Sequence, residues 1–332
     1  MVTSSFNLFI FFMLSGTIIS LTSSYWMLMW IGMEITLIGL IPIVLSYSNS
    51  LEKEGIVKYF TMQALGSIFV LAGSLIMFYP SFSWETSILS FFSVSGAVTI
   101  VFGLFLKLGI FPVHFWVSGV ICSMSWLSCL LILTWQKIAP LFFMIYLMQN
   151  FTFYLCMIVI FLSVISSMIG SLGGLNQTLL RGILAFSSIT HTGWMGVSSC
   201  LGLSETYLYF TIYCLMSFSL FGLLMFMEIY SSNHSLLLWN LVTLNLFAMS
   251  GMPPFVGFIS KWVVLKSMFL LNMPMILIIL LIISSIISLY YYIKTIYSFI
   301  LIEKKLKSVF WNMYSSLFSL LNIFGFCFFI SF

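Results

Sequence analysis

Four ionisable residues lie deep inside hydrophobic segments, where an ionised side chain is costly. Glu34 lies near the middle of the second segment and Lys137 near the middle of the fifth, while Lys107 and Lys261 lie in the fourth and the ninth. A charge at the bilayer centre costs about 2.5–3.5 kcal/mol on insertion scales, so four cost about 10 kcal/mol, comparable to the stability of a domain. Buried charges of this kind mark ion and proton pathways, so we predict that these residues transfer protons.

A buried lysine is suited to proton transfer when opposed effects act on its amine. Burial favours the neutral amine, whereas a nearby carboxylate or helix carbonyl favours the ammonium, so a modest rearrangement can change the protonation state. Carbonyls freed at the end of a half-helix favour a cation, and Lys107 is predicted to lie there. The alternative for Glu34 is a purely structural pair with a lysine. His191, within a run of serine and threonine, is a further candidate for the relay; its alternative is a hydrogen-bonded core histidine.

Two hydrophobic stretches are too long for one straight span, and proline interrupts both. Residues 87–121 contain Pro112, and residues 236–269 contain Pro253 and Pro254. About 20 residues of helix cross a bilayer, and neither stretch contains a polar loop that would allow a second span. We therefore predict a broken transmembrane helix in each stretch, with its exposed backbone lining a polar path. Paired interruptions of this kind indicate a transport site.

The composition is that of an integral membrane protein. The 332 residues are 62% hydrophobic and 5% charged, whereas soluble domains carry about 25% charged residues. We expect no soluble domain, and therefore no site for a nucleotide, a flavin or an iron–sulfur cluster on this chain. The net charge of +4 includes no basic cluster that would bind nucleic acid. The six cysteines stand singly and the three histidines lie far apart, so we predict no metal site.

Polar and glycine–proline punctuation predicts an all-α polytopic membrane protein with about eleven transmembrane helices in a single domain, 1–332. Helices one to five (about 5–149) and six to ten (about 152–302) each place the broken helix fourth. Because five is an odd number, the two sets are predicted to be inverted repeats. A further helix at about 309–331 lies outside the repeats.

The loops richest in lysine and arginine fall on one side of the membrane in this arrangement. The positive-inside rule places these loops and the amino terminus in the cytoplasm or the mitochondrial matrix, and the carboxyl terminus on the opposite side.

Five segments together resemble the antiporter-like membrane-arm subunits of mitochondrial NADH:ubiquinone oxidoreductase (respiratory complex I), in particular the subunit 2 family. These segments are WIGMEI at 30–35, KLGIFPVHFW at 107–116, WQKIAP at 135–140, SSITHTGWM at 187–195 and SGMPPFVGF at 250–258. The resemblance covers essentially the whole chain. It implies that Glu34 pairs with Lys107, that Lys137 is the central lysine, and that Lys261 lies near a proton exit toward the next subunit.

The resemblance also implies a function: one proton channel of a translocase in which other subunits oxidise NADH and reduce ubiquinone, using FMN and iron–sulfur clusters. Implied partners are the other membrane-arm subunits, a neighbouring antiporter-like subunit, accessory subunits and phospholipid including cardiolipin. The implied location is the mitochondrial inner membrane, with the amino terminus in the matrix and the carboxyl terminus in the intermembrane space. Two alternatives are a free-standing cation/proton antiporter and a structural membrane subunit without a proton path.

Overall fold

The structure, a computed structural model, describes residues 2–46, 49–81, 93–150, 153–229 and 236–303. The elements of these residues are helices, with a π-helical turn at Leu131–Trp135. The α-helices are α1 (Val2–Thr22), α2 (Trp26–Leu45), α3 (Ser50–Ser81), α4 (Ser93–Leu108), α5 (Phe115–Ser123), α6 (Trp126–Leu130), α7 (Gln136–Asn150), α8 (Phe153–Leu175), α9 (Leu180–Leu201), α10 (Leu203–Ile229), α11 (Leu236–Ser250), α12 (Val256–Leu270) and α13 (Met275–Glu303).

The prediction of an all-helical membrane protein is confirmed. Within the described ranges, six helical segments are long and apolar enough to cross a membrane, and shorter apolar helices cover Phe6–Thr22 and Val94–Leu108. The predicted helix at about 309–331 lies outside the described residues, so the number eleven stays a prediction.

The third hydrophobic span of the sequence begins at about residue 56, which predicts a loop containing Glu52, Lys53 and Glu54, but α3 begins earlier. The helix begins at Ser50, and the Glu52 carboxylate accepts a hydrogen bond from the backbone N–H of Asn49 at 3.0 Å. Acidic side chains stabilise the amino-terminal end of a helix, where backbone N–H groups lack partners. These charged residues therefore extend the helix instead of interrupting it.

Each of the two stretches that contain the interrupting prolines forms two helices separated by a short non-helical segment. α4 ends at Leu108 and is followed by Gly109 with φ 73°, and α11 ends at Ser250 and is followed by Gly251 with φ 77°. This left-handed conformation suits glycine, because a side chain there would meet the following carbonyl. Both half-helices therefore end with a left-handed glycine, a common way for a helix to stop.

The chain divides into two compact units, Met1–Ser166 and Ser167–Phe332, with the division inside α8. In the first unit, α1 packs on α2 and α3 on α4 through glycines. A Cβ at Gly16 would lie 2.8 Å from the Gly32 carbonyl oxygen, and a Cβ at Gly103 would lie 2.7 Å from that of Gly66. Such close helix contacts are typical of membrane proteins, where small residues let backbones approach.

In the second unit, α9 is buried along most of its length, from Gly182 to Ser199, and packs against α10, α12 and α13. The α8 backbone approaches it closely, because a Cβ at Gly170 would lie 2.8 Å from the Thr190 backbone nitrogen. This packing places His191 in the interior of the unit, where it is 3% exposed.

Candidate functional site

The first break holds an ion pair between two predicted site residues, of which the lysine is buried and the glutamate partly buried. The Lys107 amine donates to the Glu34 carboxylate at 3.0 Å, and the side chains are 2% and 25% exposed, respectively. The lysine stem passes over Gly66, where a Cβ would lie 2.9 Å from Lys107 Cγ. A charge as buried as that of Lys107 needs a partner to remain ionised. Whether Lys107 stays charged therefore depends on its contact with the Glu34 carboxylate.

Side chains bind the carbonyls that are freed where α4 ends. The backbone N–H of Ile110 donates to the Phe105 carbonyl, as expected after a left-handed glycine. The Trp116 indole N–H donates to the Leu106 carbonyl at 3.1 Å, and the Gln63 amide donates to the Lys107 carbonyl at 3.2 Å.

This arrangement differs from the sequence-based expectation that freed carbonyls stabilise the Lys107 cation. Neutral donors bind these carbonyls, and the amine of Lys107 binds Glu34 instead. Because the backbone is satisfied by neutral groups, the lysine can change partner or charge without exposing the end of the helix.

Lys107 and Lys137 line the same small cavity. Its wall also includes Tyr59, Gln63 and Gln136, and the space available to the centre of a water molecule is about 10 Å³. Lys137 is 6% exposed and lies in the first turn of α7, directly after the π-helical turn. Turns of this kind are frequent at functional sites.

Separate polar contacts join α2, which carries Glu34, to α7, which carries Lys137. The Gln136 amide donates to the Thr36 carbonyl at 3.4 Å, and the Thr36 hydroxyl lies 3.5 Å from the Gln136 amide oxygen. Thr36 and Gln136 lie two residues and one residue along the chain from Glu34 and Lys137, respectively. These contacts therefore connect α2 directly to the start of α7.

In the second unit, Lys261 caps the second break directly. Its amine donates at 2.8 Å to the carbonyl of Ser250, which is the last residue of α11. Lys261 itself is 7% exposed. The amine also lies 6.0 Å from the centroid of the Trp194 ring. A cation at the carboxyl end of a helix is favoured by the partial negative charge of the carbonyls. The lysine of the second break thus has the position that the sequence suggested for Lys107.

His191 lies on α9 among aromatic side chains. Its Nδ1 is 2.9 Å from the Tyr209 hydroxyl, and its ring lies 5.2 Å from that of Tyr213. The Tyr209 ring stacks on the Trp194 ring, with 6.4 Å between the two ring centroids. His191 and Lys261 therefore contact the same aromatic cluster of the second unit, formed by Trp194, Tyr209 and Tyr213.

The structure brings Glu34 and Lys107 into contact and places Lys137 at the same cavity; Lys261 and His191 belong to the second unit. Tyr59, Gln63 and Gln136 were missed in the sequence. Gln63 could have been noticed as an amide in an apolar helix, since polar residues there usually bind another helix. Tyr59 lies one turn before Gln63 and therefore on the same face of α3, but its residue type in an apolar helix does not mark it as a cavity residue.

Comparison with known proteins identifies the class. Residues 23–288 match the family described as NADH:quinone oxidoreductase/Mrp antiporter, transmembrane region, and this range contains all five predicted proton-transfer residues. The chain therefore belongs to this family.

Individual relatives show a more specific similarity within this family. NADH-ubiquinone oxidoreductase chain 2 of Anopheles gambiae is 35% identical over 329 residues, which cover 95% of this chain and 93% of the relative. The protein of the same name from Lumbricus terrestris is 35% identical over 307 residues, covering 90% and 87%. The similarity extends over nearly the full length of both relatives.

Solved structures share the fold at lower identity. A chain of the membrane-bound sulfane sulfur reductase, an archaeal respiratory membrane complex, matches with a TM-score of 0.85 at 18% identity, over 96% of this chain and 72% of that one. A chain of respiratory complex I from Thermus thermophilus matches with a TM-score of 0.81 at 18% identity, over 98% and 77%. For a chain of the Mrp complex from Dietzia the TM-score is 0.78 at 16% identity, and this chain spans 58% of its length.

Proposed function

We propose that this chain is an antiporter-like membrane-arm subunit of NADH:ubiquinone oxidoreductase and forms one of its proton-translocation channels. The full-length similarity to NADH-ubiquinone oxidoreductase chain 2 from two invertebrates supports the assignment. The observation that carries the proton-channel part is the ion pair of Lys107 and Glu34 at a break between two half-helices. A buried pair at this position is able to change charge when the helices move.

The proposed transfer begins at this ion pair. When Glu34 leaves the Lys107 amine, the ammonium is left in apolar surroundings and releases its proton. Lys137, at the same cavity, is the proposed acceptor. Lys261 is the proposed later site, because it is a buried lysine that contacts the end of the other half-helix. His191 is proposed to adjust this site through the aromatic cluster that both residues contact.

The energy for this transfer comes from elsewhere in the complex. Oxidation of NADH and reduction of ubiquinone are assigned to other subunits that hold FMN and iron–sulfur clusters, and we propose no cofactor or metal for this chain. A change in charge from those subunits is proposed to disturb the Glu34–Lys107 pair. The proposed partners are the other membrane-arm subunits, including a neighbouring antiporter-like subunit, together with accessory subunits and phospholipid including cardiolipin.

The proposed arrangement in the membrane follows from the charge pattern of the loops. About eleven helices form two inverted five-helix repeats, each with a broken fourth helix, and one further helix. The protein lies in the mitochondrial inner membrane, with the amino terminus in the matrix and the carboxyl terminus in the intermembrane space.

A native gel tests the assignment to the complex. Membranes containing the chain are solubilised in mild detergent, separated on a native gel, stained for NADH oxidation and analysed by mass spectrometry. We expect peptides of this chain in a very large NADH-oxidising band. A chain that migrates alone or as a homodimer would instead support the alternative of a free-standing cation/proton antiporter.

A further inference from the structure

Tyr59 on α3 carries a buried hydroxyl that the proposed transfer does not yet use. The residue is 1% exposed, and its hydroxyl oxygen has no hydrogen-bond partner among the described residues. Its ring packs against Trp116 at 5.8 Å. Burying a hydroxyl without a partner is unfavourable, and native structures rarely do so unless water or a ligand supplies the bond.

The surroundings of this hydroxyl indicate which ligand fits. Tyr59 lines the cavity that Lys107 and Lys137 share, together with Gln63 and Gln136. The space of about 10 Å³ is at the lower limit for one water molecule. A buried water typically makes two to four hydrogen bonds, and the amines and amides of the cavity wall can supply the remaining partners. The site therefore suits a single water molecule and excludes larger ligands.

We propose that Tyr59 positions one ordered water molecule in this cavity, and that this water carries the proton between Lys107 and Lys137. The inference rests on the proposed function. In the transfer, the Lys107 ammonium loses a proton to the water oxygen, and the water passes a different proton to the neutral amine of Lys137. One N–H bond breaks and one forms, and the water is regenerated.

A tyrosine is well suited to hold such a water through both states. Its hydroxyl donates one hydrogen bond and accepts others, and it can rotate. It can therefore donate to the water before the transfer and accept from it while the water carries the additional proton. Tyr59 is a positioning residue in this scheme, because the proton moves between the two amines and the water.

The test is Tyr59→Phe in the assembled complex, with Tyr291→Phe, an equally buried tyrosine of the second unit, as control. We expect coupled NADH:ubiquinone turnover to fall about two- to tenfold, the effect of one hydrogen bond. The solvent deuterium isotope effect on turnover should rise, because proton transfer becomes more rate-limiting. The control should change neither quantity. A high-resolution map of the wild-type complex should show water within hydrogen-bond distance of the Tyr59 hydroxyl.

Two results would overturn the inference: a wild-type map without water at the hydroxyl, or unchanged turnover and isotope effect in an assembled Tyr59→Phe complex. If that variant does not assemble, the wild-type map alone decides. Lys137→Ala separates this inference from the proposed function. If Lys137→Ala abolishes pumping while Tyr59→Phe behaves normally, only the positioned water is refuted. If Lys137→Ala pumps normally, the proposed channel itself is refuted.

Discussion

Glu34→Gln perturbs the buried ion pair while nearly preserving the size and shape of the side chain. Opposite charges 3.0 Å apart attract by about 5–6 kcal/mol at an effective dielectric constant of 20. Removing one partner of a buried pair costs about 3–5 kcal/mol, and the glutamine oxygen restores about 1 kcal/mol as a neutral acceptor. We therefore expect the interaction that holds the charge on Lys107 to weaken by about 2–4 kcal/mol, a factor of roughly 30 to 900.

The assay measures NADH:ubiquinone turnover and proton pumping in proteoliposomes, normalised to assembled complex. In the proposed transfer Lys107 must regain its charge in each cycle, so we expect both rates to fall at least about tenfold. Glu54→Gln is the matched control: it removes the carboxylate of another Glu–Lys pair in the same unit. Both side chains of that pair with Lys58 are more than half exposed, so water replaces the interaction and no change is expected.

A double-mutant cycle separates the pair from general damage. Lys107→Gln removes the buried charge, and adding Glu34→Gln to it should have little further effect on assembly, since the residues act on each other. Equal, independent effects of the two substitutions, or wild-type turnover and pumping in Glu34→Gln, would refute the reasoning.

Two further predictions concern the helix breaks. Gly251→Ala should destabilise the complex by about 1–2 kcal/mol, because the φ of Gly251 is 77° and the new Cβ would lie 3.0 Å from the Lys261 amine. Thermal denaturation measures this loss. The control Gly222→Ala should show no such loss, because a Cβ there meets nothing within 4 Å. Gln63→Leu should lower the stability of the complex by about 1–3 kcal/mol, because it leaves the Lys107 carbonyl without its hydrogen-bond donor. Gln149→Leu, at an exposed position, should leave stability unchanged. Equal melting temperatures for the two leucine variants would contradict the capping role of Gln63.

The breaks and the buried charges could be predicted from sequence because each is anomalous in an apolar segment. Pro112 and Pro253 stand in stretches too long for one span, and a lysine such as Lys137 is costly wherever its helix packs. The bounds of the second broken stretch, predicted at 236–269, agree with α11 and α12, which extend from Leu236 to Leu270. The start of α3 does not agree with its predicted position, because Glu52 is compatible with either a loop or the first turn of a helix.

The partners of these charges could not be predicted from spacing. Gln63 reaches Lys107 across 44 residues of sequence, and the wall of the cavity at Tyr59 comes from α3, α4, α5, the π-helical turn and α7. The two breaks also differ in what their lysines bind. Lys107 precedes its break and binds a carboxylate on another helix, whereas Lys261 follows its break and reaches back to the Ser250 carbonyl.

The central claim is that buried lysines of this chain carry protons, and α12 offers a matched pair with which to test it. Lys261 is buried at the break, whereas Lys266, five residues later, is exposed and has its amine 5.3 Å from the Trp262 ring centroid. The measurement is the number of protons pumped per NADH oxidised, together with turnover, in complexes carrying Lys261→Met or Lys266→Met. The account predicts loss of pumping in the first and wild-type values in the second. Wild-type turnover and stoichiometry in assembled Lys261→Met complexes would contradict it.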